Sequence, residues 1–296
     1  MSRRENALKY ISKKGPGLEI GPSINPLASK KDGYNVHIID HASREQLLDK
    51  YKDHNVNLEN IEEVDFVWRG ESYAELTGRK NYYEWIIAAH LIEHVPDLIG
   101  FLKDCDGVLK EDGVISLVIP DKRYCFDHFR PVSGISKIID SHINKNNSHT
   151  PGTIVEQILN AVSKDGKIAW DRDNFGAYNL RNPLSAAQGA LQSRDTGYSD
   201  RHAWVFVPHS FRLIIHDLFC LGLIPFQEVY FSPTEGCEFY MTLSRKGKGI
   251  DRSRLEMLEI VESECCARDY TSAKKMINRL TKPIYKAKRY IKKHYA

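Results

Sequence analysis

Short apolar runs alternate with amphipathic segments over the first 120 residues. The runs GLEI, YNVHIID, VDFVW, YEWIIAA and VISLVIP are typical of strands, and Glu111-Asp112-Gly113 is expected to turn the chain into the fifth. Between the runs, Ser43 and Gln46 stand at capping-box spacing, and residues 98–109 carry apolar side chains at i, i+3, i+4 and i+7. Strands that alternate with helices at this spacing predict a parallel sheet with helical crossovers.

The pattern changes after the fifth strand. Residues from about 121 to 205 are rich in turn-forming residues and contain one clear helix, which begins at Thr150-Pro151. So long a departure is usually functional and predicts a substrate-side insertion. Order resumes with the helix HSFRLIIHDLFCLGL and an antiparallel hairpin of FQEVYFS and EFYMTLS. Residues 1–249 are therefore expected to form one domain, followed by a helical tail over 250–296.

The loop after the first strand, LEIGPSINP, stands where a nucleotide-binding loop keeps its glycines. Gly21 follows the strand directly, and Asp40 ends the second strand 19 residues later, a distance that suits a carboxylate on a ribose. A dinucleotide needs further glycines so that the backbone can approach its pyrophosphate, but Ser23, Asn25 and Pro26 fill the loop. The pattern therefore favours a nucleoside without phosphates and with a zwitterionic end, such as S-adenosylmethionine.

With these features, residues 15–245 resemble class I S-adenosylmethionine-dependent methyltransferases, of the type 11 kind found with bacterial surface-glycan assembly. LEIGPSINP stands at the family's acidic-x-G-x-G-x-G loop and keeps only its first glycine. IIDHAS carries the acidic end of strand two, and AAHLIEHVPDLIGFLKDCDGVLKEDGVISLVIPDKRY is similar to the family's stretch from strand four through strand five. The resemblance implies a Rossmann-like α/β fold, with helices on both faces of a seven-strand sheet of five parallel strands and a C-terminal antiparallel hairpin.

The resemblance also implies which residues bind S-adenosylmethionine. The loop around Gly21 would border the methionine end, and Asp40 would hold the ribose hydroxyls. Glu71 would meet the adenine amino group, and His90 would line the sulfonium side. The complete set of implied cofactor-binding residues is Glu19, Gly21, Pro22, Ser23, Asn25, Asp40, His41, Glu71 and His90.

The segment HLIEH, from His90 to His94, also matches the zinc-peptidase pattern H-x-x-E-H. That chemistry needs both histidines on one face of a helix, together with a further ligand. Pro96 disfavours helical geometry at Val95, and the preceding strand leaves no room for a helix. We therefore expect an ordinary strand-to-helix loop, with Asp97 close to the helix start, and no metal site.

The segment PDKRYCFDHFRP follows the fifth strand and should face substrate, because ligands of open parallel sheets bind beyond the carboxyl ends of the strands. Methyl transfer to a hydroxyl requires removal of its proton, for which a histidine, alone or oriented by an aspartate, is the natural base. The candidate catalytic residues are His128 and His202, with Asp127 or Asp121 as partner. The candidate substrate-binding residues are Arg123, Tyr124, Arg130 and Trp204.

Composition and charge add a second feature. No apolar run approaches a membrane span, the N-terminus does not resemble a signal peptide, and the six cysteines show no metal or disulfide spacing. From Tyr270 to the end there are nine Lys or Arg and no Asp or Glu, which leaves the first 269 residues at −6. This basic helical tail could lie on an anionic membrane surface, bind a partner or nucleic acid, or lead to another domain.

The expected function is O-methylation of a sugar hydroxyl on a bacterial surface polysaccharide or its precursor. The expected location is the cytoplasm, where the basic tail would allow contact with the inner face of the inner membrane. The expected partners are a glycan or sugar-nucleotide substrate and a glycosyltransferase domain or partner. The alternatives are methylation of RNA or another small molecule, a nicotinamide-dependent oxidoreductase, and a non-catalytic binding module of the same fold. The acidic body argues against RNA, and the missing glycines argue against a dinucleotide.

Overall fold

The computed structural model describes residues 2–171, 176–193 and 200–266. Its strands are β1 (Gly17–Ile20), β2 (Val36–Asp40), β3 (Phe66–Val67), β4 (Tyr83–Ala89), β5 (Leu109–Pro120), β6 (Val162–Lys164), β7 (Tyr178–Leu180), β8 (Gln227–Glu235) and β9 (Glu238–Ser244). Its helices are α1 (Arg3–Ala7), α2 (Arg44–Tyr51), α3 (Tyr73–Thr77), α4 (Leu98–Val108), α5 (Ile135–Ile143), α6 (Pro151–Asn160), α7 (Leu184–Ser193), α8 (Pro208–Cys220) and α9 (Arg254–Cys266).

Seven strands form one sheet in the order β3-β2-β1-β4-β5-β9-β8. The first five strands are parallel to one another, whereas β9 is antiparallel to both β5 and β8. The predicted fold class, five parallel strands with a C-terminal antiparallel hairpin, is therefore confirmed. Because the parallel strands share one direction, their carboxyl ends meet along a single edge, where ligands of such sheets bind.

Both faces of the sheet are covered, because successive side chains of β4 are buried in two different clusters. Ile86 and Ala88 point into a large cluster with α4, α5 and α8, and Trp85 and Ile87 point into a smaller cluster with α1 and the loop at 27–28. Successive side chains of a strand point to opposite faces, so a strand buried on both faces is apolar throughout. The predicted burial of YEWIIAA on both faces is thus confirmed.

The predicted helix boundaries follow from local hydrogen bonds. Ser43 caps α2 in a capping box with Gln46, Asp97 caps α4 by accepting from Gly100 N, and Thr150 caps α6 ahead of Pro151. These interactions join residues three positions apart, which is why a pattern in the sequence predicts them.

The predicted turn at Glu111-Asp112-Gly113 is wrong, because these residues belong to β5, which already begins at Leu109. Leu109 pairs with Tyr83, and the next pair is Val114 with Trp85, so the register shifts between them. A bulge of this kind lets the strand absorb extra residues without ending.

The segment predicted as an insertion contains α5, α6, the short antiparallel pair β6–β7, and α7. The basic tail from Tyr270 lies outside the described residues. Among the described helices, none combines the length and the apolar character that a membrane span requires.

We predict that Leu102→Ala lowers the free energy of unfolding by about 2–5 kcal/mol, because Leu102 is fully buried between α4 and the sheet. Leu255→Ala on α9 is the matched control, since Leu255 is exposed and leaves no cavity when it is shortened. Urea denaturation measures both variants. Equal destabilisation of the two would contradict the assignment of α4 to the core.

Candidate active site at the carboxyl ends of the strands

The loop after β1 turns sharply at two positions. Gly21 has φ +65° and Ser23 has φ +50°, both in the left-handed region that favours glycine. A Cβ at Gly21 would lie 3.0 Å from Leu91 Cδ1, so the close packing of the next loop also favours glycine. Asn25 N donates to the Pro22 carbonyl oxygen at 2.9 Å, which closes the turn. The predicted loop residues Pro22, Ser23 and Asn25 therefore form one compact turn beside the end of β2.

Glu19 holds this loop from inside the protein. Its two carboxylate oxygens accept from Leu27 N at 2.7 Å and Ala28 N at 3.0 Å, and the residue is 1% exposed. Burial raises the pKa of Glu19 to about 7, against the opposing effect of the two N–H donors. The expectation that Glu19 borders the cofactor is corrected here: its carboxylate faces the loop backbone and not the crevice.

Asp40 lies where the end of β2 meets this loop. Its Oδ2 accepts from Ser23 N at 3.0 Å, and its Oδ1 accepts from His41 N at 2.8 Å. The His41 ring also covers this carboxylate, with Nδ1 at 2.6 Å from Oδ1. Asp40 is 2% exposed, whereas the His41 side chain is 44% exposed. The structure thus brings together Gly21, Ser23, Asp40 and His41, as predicted, with an exposed ring over the buried acid.

An exposed indole that the sequence patterns did not single out stands next to Asp40. Trp68 N donates to the Asp40 carbonyl oxygen at 2.9 Å, and the residue is 38% exposed. Its Nε1 donates to the Glu71 carbonyl oxygen at 2.7 Å, so the predicted adenine-binding residue Glu71 lies in the same loop. The available signal was the aromatic residue that closes the strand-like run VDFVW.

His90 follows β4 with φ +50° and is tied to the last sheet strand. Its Nε2 lies 2.6 Å from Glu238 Oε2, and the other oxygen of Glu238 accepts from Arg3 Nε of α1 at 2.8 Å. Burial opposes protonation of His90, but the hydrogen bond to Glu238 and the charge of Glu93 outweigh it and raise the pKa of His90. His90 therefore stands directly after β4, at the carboxyl edge of the sheet, in an acidic environment, and its place beside the sulfonium stays a prediction.

The rest of HLIEH is a non-helical turn that leads to α4, as expected. Glu93 is 1% exposed, and its carbonyl oxygen accepts from Ala203 N at 2.6 Å and Trp204 N at 3.1 Å. These two bonds hold an extended segment at 200–207 across the ends of the central strands. They also bring His202 to within 4.6 Å of His94, measured between ring centroids.

His202 is paired with Asp127, one of the two aspartates considered as its partner. The ring Nδ1 of His202 hydrogen bonds to Asp127 Oδ2, and Asp127 Oδ1 accepts from Arg130 at 2.8 Å. Burial favours the neutral acid, but the bonds from His202 and Arg130 prevail and lower the pKa of Asp127. Asp127 therefore fixes the orientation of the His202 ring by a charge-assisted hydrogen bond.

The other two candidates, Asp121 and His128, have different partners. Asp121 is fully buried and binds Arg123 and Thr234 Oγ1, so it partners neither histidine. His128 Nδ1 lies 2.8 Å from the Arg123 carbonyl oxygen, and its ring stacks on Tyr178 at 4.8 Å between centroids. Asp121 also caps the 3-10 turn at Lys122–Tyr124 by accepting from Arg123 N at 3.0 Å.

Two predicted substrate-binding residues are also buried. Arg130 has no exposed surface on its side chain, because it is the counter-ion of Asp127. Trp204 packs in the core and donates through Nε1 to the Val95 carbonyl oxygen at 2.7 Å. Arg123 and Tyr124 remain partly exposed, with the guanidinium carbon 5.4 Å from the tyrosine ring centre. The aromatic and ionic residues of this loop thus serve partly as internal supports.

A cavity of about 190 Å³ lies between α5, α6 and residues 203–204, with Lys137, Asp140 and His149 in its wall. Trp204 forms part of this wall, whereas the residues expected to bind the cofactor do not. The cavity is therefore separate from the crevice at Gly21 and Asp40.

No family model matches the chain, and no curated protein matches it. Several solved structures are similar in fold. A SAM-dependent methyltransferase structure from Methanosarcina mazei shares 15% identity over 81% of this chain and 96% of its own, with a TM-score of 0.40. A structure described as putative Zn-dependent alcohol dehydrogenases from Rhodobacter sphaeroides shares 14% identity over 83% of this chain and 90% of its own, with a TM-score of 0.41. The CcbJ methyltransferase from Streptomyces caelestis shares 11% identity over 81% of this chain and 94% of its own, with a TM-score of 0.42. Likenesses at this level add nothing to what the strand order and the site geometry establish.

We predict that Glu19 makes stability fall as pH rises from about 4.5 to about 7. Over this range the unfolded chain ionises at the ordinary glutamate pKa, whereas the folded chain retains the proton up to a pKa of about 7. Glu19→Gln should remove this fall, which amounts to about 3 kcal/mol. The measurement is urea denaturation at several pH values, with the exposed residue Glu259 changed to Gln as control. Parallel profiles for wild type and Glu19→Gln would refute the assignment.

Proposed function

We propose that the protein transfers a methyl group from S-adenosylmethionine to a hydroxyl of a sugar, on a bacterial surface polysaccharide or its precursor. The observation that carries the proposal is the meeting of the Gly21 turn and the Asp40 carboxylate at the carboxyl edge of a sheet ordered β3-β2-β1-β4-β5-β9-β8. The support is the agreement between this edge and the positions that the sequence resemblance implies.

The donor set at this edge fits a nucleoside better than a dinucleotide. A carboxylate such as Asp40 accepts hydrogen bonds from both hydroxyls of a ribose, and the exposed face of Trp68 offers a stacking surface for a base. The turn at Pro22 and Ser23 contains a single glycine and no helix N-terminus, so it lacks the features that bind a pyrophosphate. S-adenosylmethionine, when bound, supplies a methyl group on a sulfonium sulfur.

We assign the acceptor side to His202 and its partner Asp127. Asp127 lies in the loop that follows β5, and His202 lies on the segment at 200–207 that crosses the ends of the strands. Directly after Asp127, the rings of His128 and Phe129 form an aromatic cluster with those of Trp170 and Tyr178, and Phe129 is half exposed. Aromatic rings with polar edges suit a sugar, which presents both apolar and hydroxyl-bearing faces. This cluster supports a sugar acceptor.

The remaining parts of the proposal concern location and partners. The tail from Tyr270, with nine basic and no acidic residues, would attract the protein to an anionic membrane face, at about 1 kcal/mol for each residue near the surface. An enzyme that modifies membrane-bound glycan precursors would then work beside a glycosyltransferase. RNA is the less favoured acceptor, because the first 269 residues carry a net charge of −6.

The test is calorimetric titration with S-adenosylhomocysteine, with NADH as the control ligand. Micromolar binding of S-adenosylhomocysteine alone supports the proposal, and methyl transfer to sugar acceptors, with RNA as a competing acceptor, then identifies the substrate class. Binding of NADH alone would favour an oxidoreductase, and binding of neither ligand would favour a non-catalytic module.

We predict that Asp40→Asn weakens S-adenosylhomocysteine binding by about 1–3 kcal/mol, or roughly 5- to 150-fold, because charge-assisted bonds to the ribose are lost. The matched control is Glu259→Gln, which removes an exposed carboxylate on α9. Its affinity should equal that of the wild type. Unchanged affinity in Asp40→Asn would show that the ribose binds elsewhere.

We predict that His202→Gln lowers turnover by about 100-fold or more while S-adenosylhomocysteine affinity stays unchanged. Glutamine retains a donor for Asp127, so the fold is preserved. His128→Gln is the comparison, because His128 lies in the aromatic cluster and should affect the KM for the acceptor more than kcat. Full turnover in His202→Gln would remove His202 from the acceptor side.

A further inference from the structure

The carboxyl group of Glu93 is buried and has no hydrogen-bond partner in the described part of the chain. The residue is 1% exposed, and neither Oε1 nor Oε2 accepts a hydrogen bond within the described part of the chain. An ionised carboxylate in such a place costs several kcal/mol unless a cation or a set of donors compensates it. The loop backbone donates no hydrogen bond to the Glu93 carboxyl oxygens. A cation bound by Glu93 and the side chains around it would supply the missing partner.

Histidines surround this carboxylate. One ligand atom each from Glu93, His94 and His202 lies within 4.8 Å of the others. His94 Nε2 is 3.8 Å from Glu93 Oε1, and His90 Nδ1 is 3.7 Å from the same oxygen. These separations are too long for hydrogen bonds. They are close to the ~3.4 Å between two ligand atoms that each lie about 2.1 Å from one tetrahedral ion.

The ring of His202 is oriented by another carboxylate, because its Nδ1 hydrogen bonds to Asp127. Nδ1 of His94 lies 3.0 Å from Asp200 Oδ1, an ion-pair contact without hydrogen-bond geometry. A carboxylate on one ring nitrogen places the proton there and leaves the lone pair of the other nitrogen for a metal. The same arrangement is found around protein-bound zinc, where these outer partners set the tautomer and the ring position.

We propose that Glu93, His94 and His202 bind a divalent first-row transition-metal cation. Two imidazoles and one carboxylate form a donor set that suits Zn²⁺ or Fe²⁺, and three protein ligands leave a coordination position open for a further ligand. Asp127 orients the ring of His202, Asp200 lies beside that of His94, and His90, held by Glu238, borders the site. The buried charge of Glu93 is thereby neutralised by the ion.

The H-x-x-E-H pattern predicts no metal site, because a zinc peptidase needs both histidines of the pattern on one face of a helix. In the structure Glu93 and His94 are adjacent in a turn, and the third ligand comes from the crossing segment at 200–207. The first histidine of the pattern, His90, is instead bound through Nε2 to Glu238. The zinc-peptidase geometry is therefore absent from this turn, and the cation site has another ligand set.

The cation site is independent of methyl transfer, because it can be measured without cofactor or acceptor. It also gives His202 a specific role, as a ligand through which a bound hydroxyl would be polarised. Loss of turnover in His202→Gln does not by itself distinguish this role from that of a base, whereas metal binding does. Failure of S-adenosylhomocysteine to bind would overturn the proposed function and leave the cation site standing.

The experiment is calorimetric titration of the chelator-treated full chain with Zn²⁺. One equivalent should bind, and Glu93→Gln should weaken binding by about 100-fold or more, since it removes a charged ligand at constant shape. His209→Gln is the matched control, because His209 of α8 pairs with Glu264 of α9 in a similar histidine–glutamate contact. Circular dichroism confirms that each variant folds, and His94→Gln replaces Glu93→Gln if that variant does not.

Cobalt absorption distinguishes the proposed ligands from the exposed cysteines Cys220, Cys265 and Cys266. Tetrahedral d–d bands without thiolate charge-transfer bands, lost in Glu93→Gln and retained in His209→Gln, support the site. Absence of binding overturns it, as do thiolate charge-transfer bands or equal binding by wild type and Glu93→Gln.

Discussion

The carbonyl oxygen of Glu93 accepts two backbone hydrogen bonds, from Ala203 and Trp204, and the site depends on this contact. This contact holds residues 200–207 over the loop that follows β4. Further bonds extend the contact, since Lys122 N donates to the Phe206 carbonyl oxygen and Ser133 N donates to that of Val205. The loops after β4 and β5 and the crossing segment therefore form one layer above the sheet edge. This layer brings the side chains of His94, Asp127 and His202 together.

The parts of the structure that could be predicted from the sequence are those governed by local spacing. The capping box at Ser43 and Gln46, the cap at Asp97 and the apolar alternation of β4 involve residues a few positions apart. The parallel sheet follows from the same information, because strands that alternate with helices are restricted to few topologies, whereas the full seven-strand order is what the resemblance implies. In the candidate site, spacing assigned the Gly21 turn and Asp40 to one ligand, and the structure adds the bond from Ser23 N to Asp40.

The parts that could not be predicted depend on contacts between distant residues. Asp127 and His202 are 75 positions apart, and the sequence left two aspartates and two histidines as equal choices. Arg130 and Trp204 were predicted to bind substrate, yet both are buried. Arg130 donates to Asp127, and Trp204 donates to the Val95 carbonyl oxygen. The cation ligands were missed for the same reason, since a metal needs only that donors meet in space. Spacing identifies such donors when one helix carries them, and here a turn and a remote segment share them.

Arg3, on the first helix, reaches Glu238, whose second oxygen holds His90 at the crevice. Asn6 of the same helix donates to Glu235, next to the hairpin turn, and accepts from Tyr230. The first helix is thus hydrogen bonded to the central sheet, and Arg3 and Glu238 are 235 positions apart in the sequence. A change of sign at Arg3 would alter the electric field at His90 without touching the pocket. A substitution in the first helix therefore changes the electrostatics of this edge of the sheet while every residue that lines it stays the same.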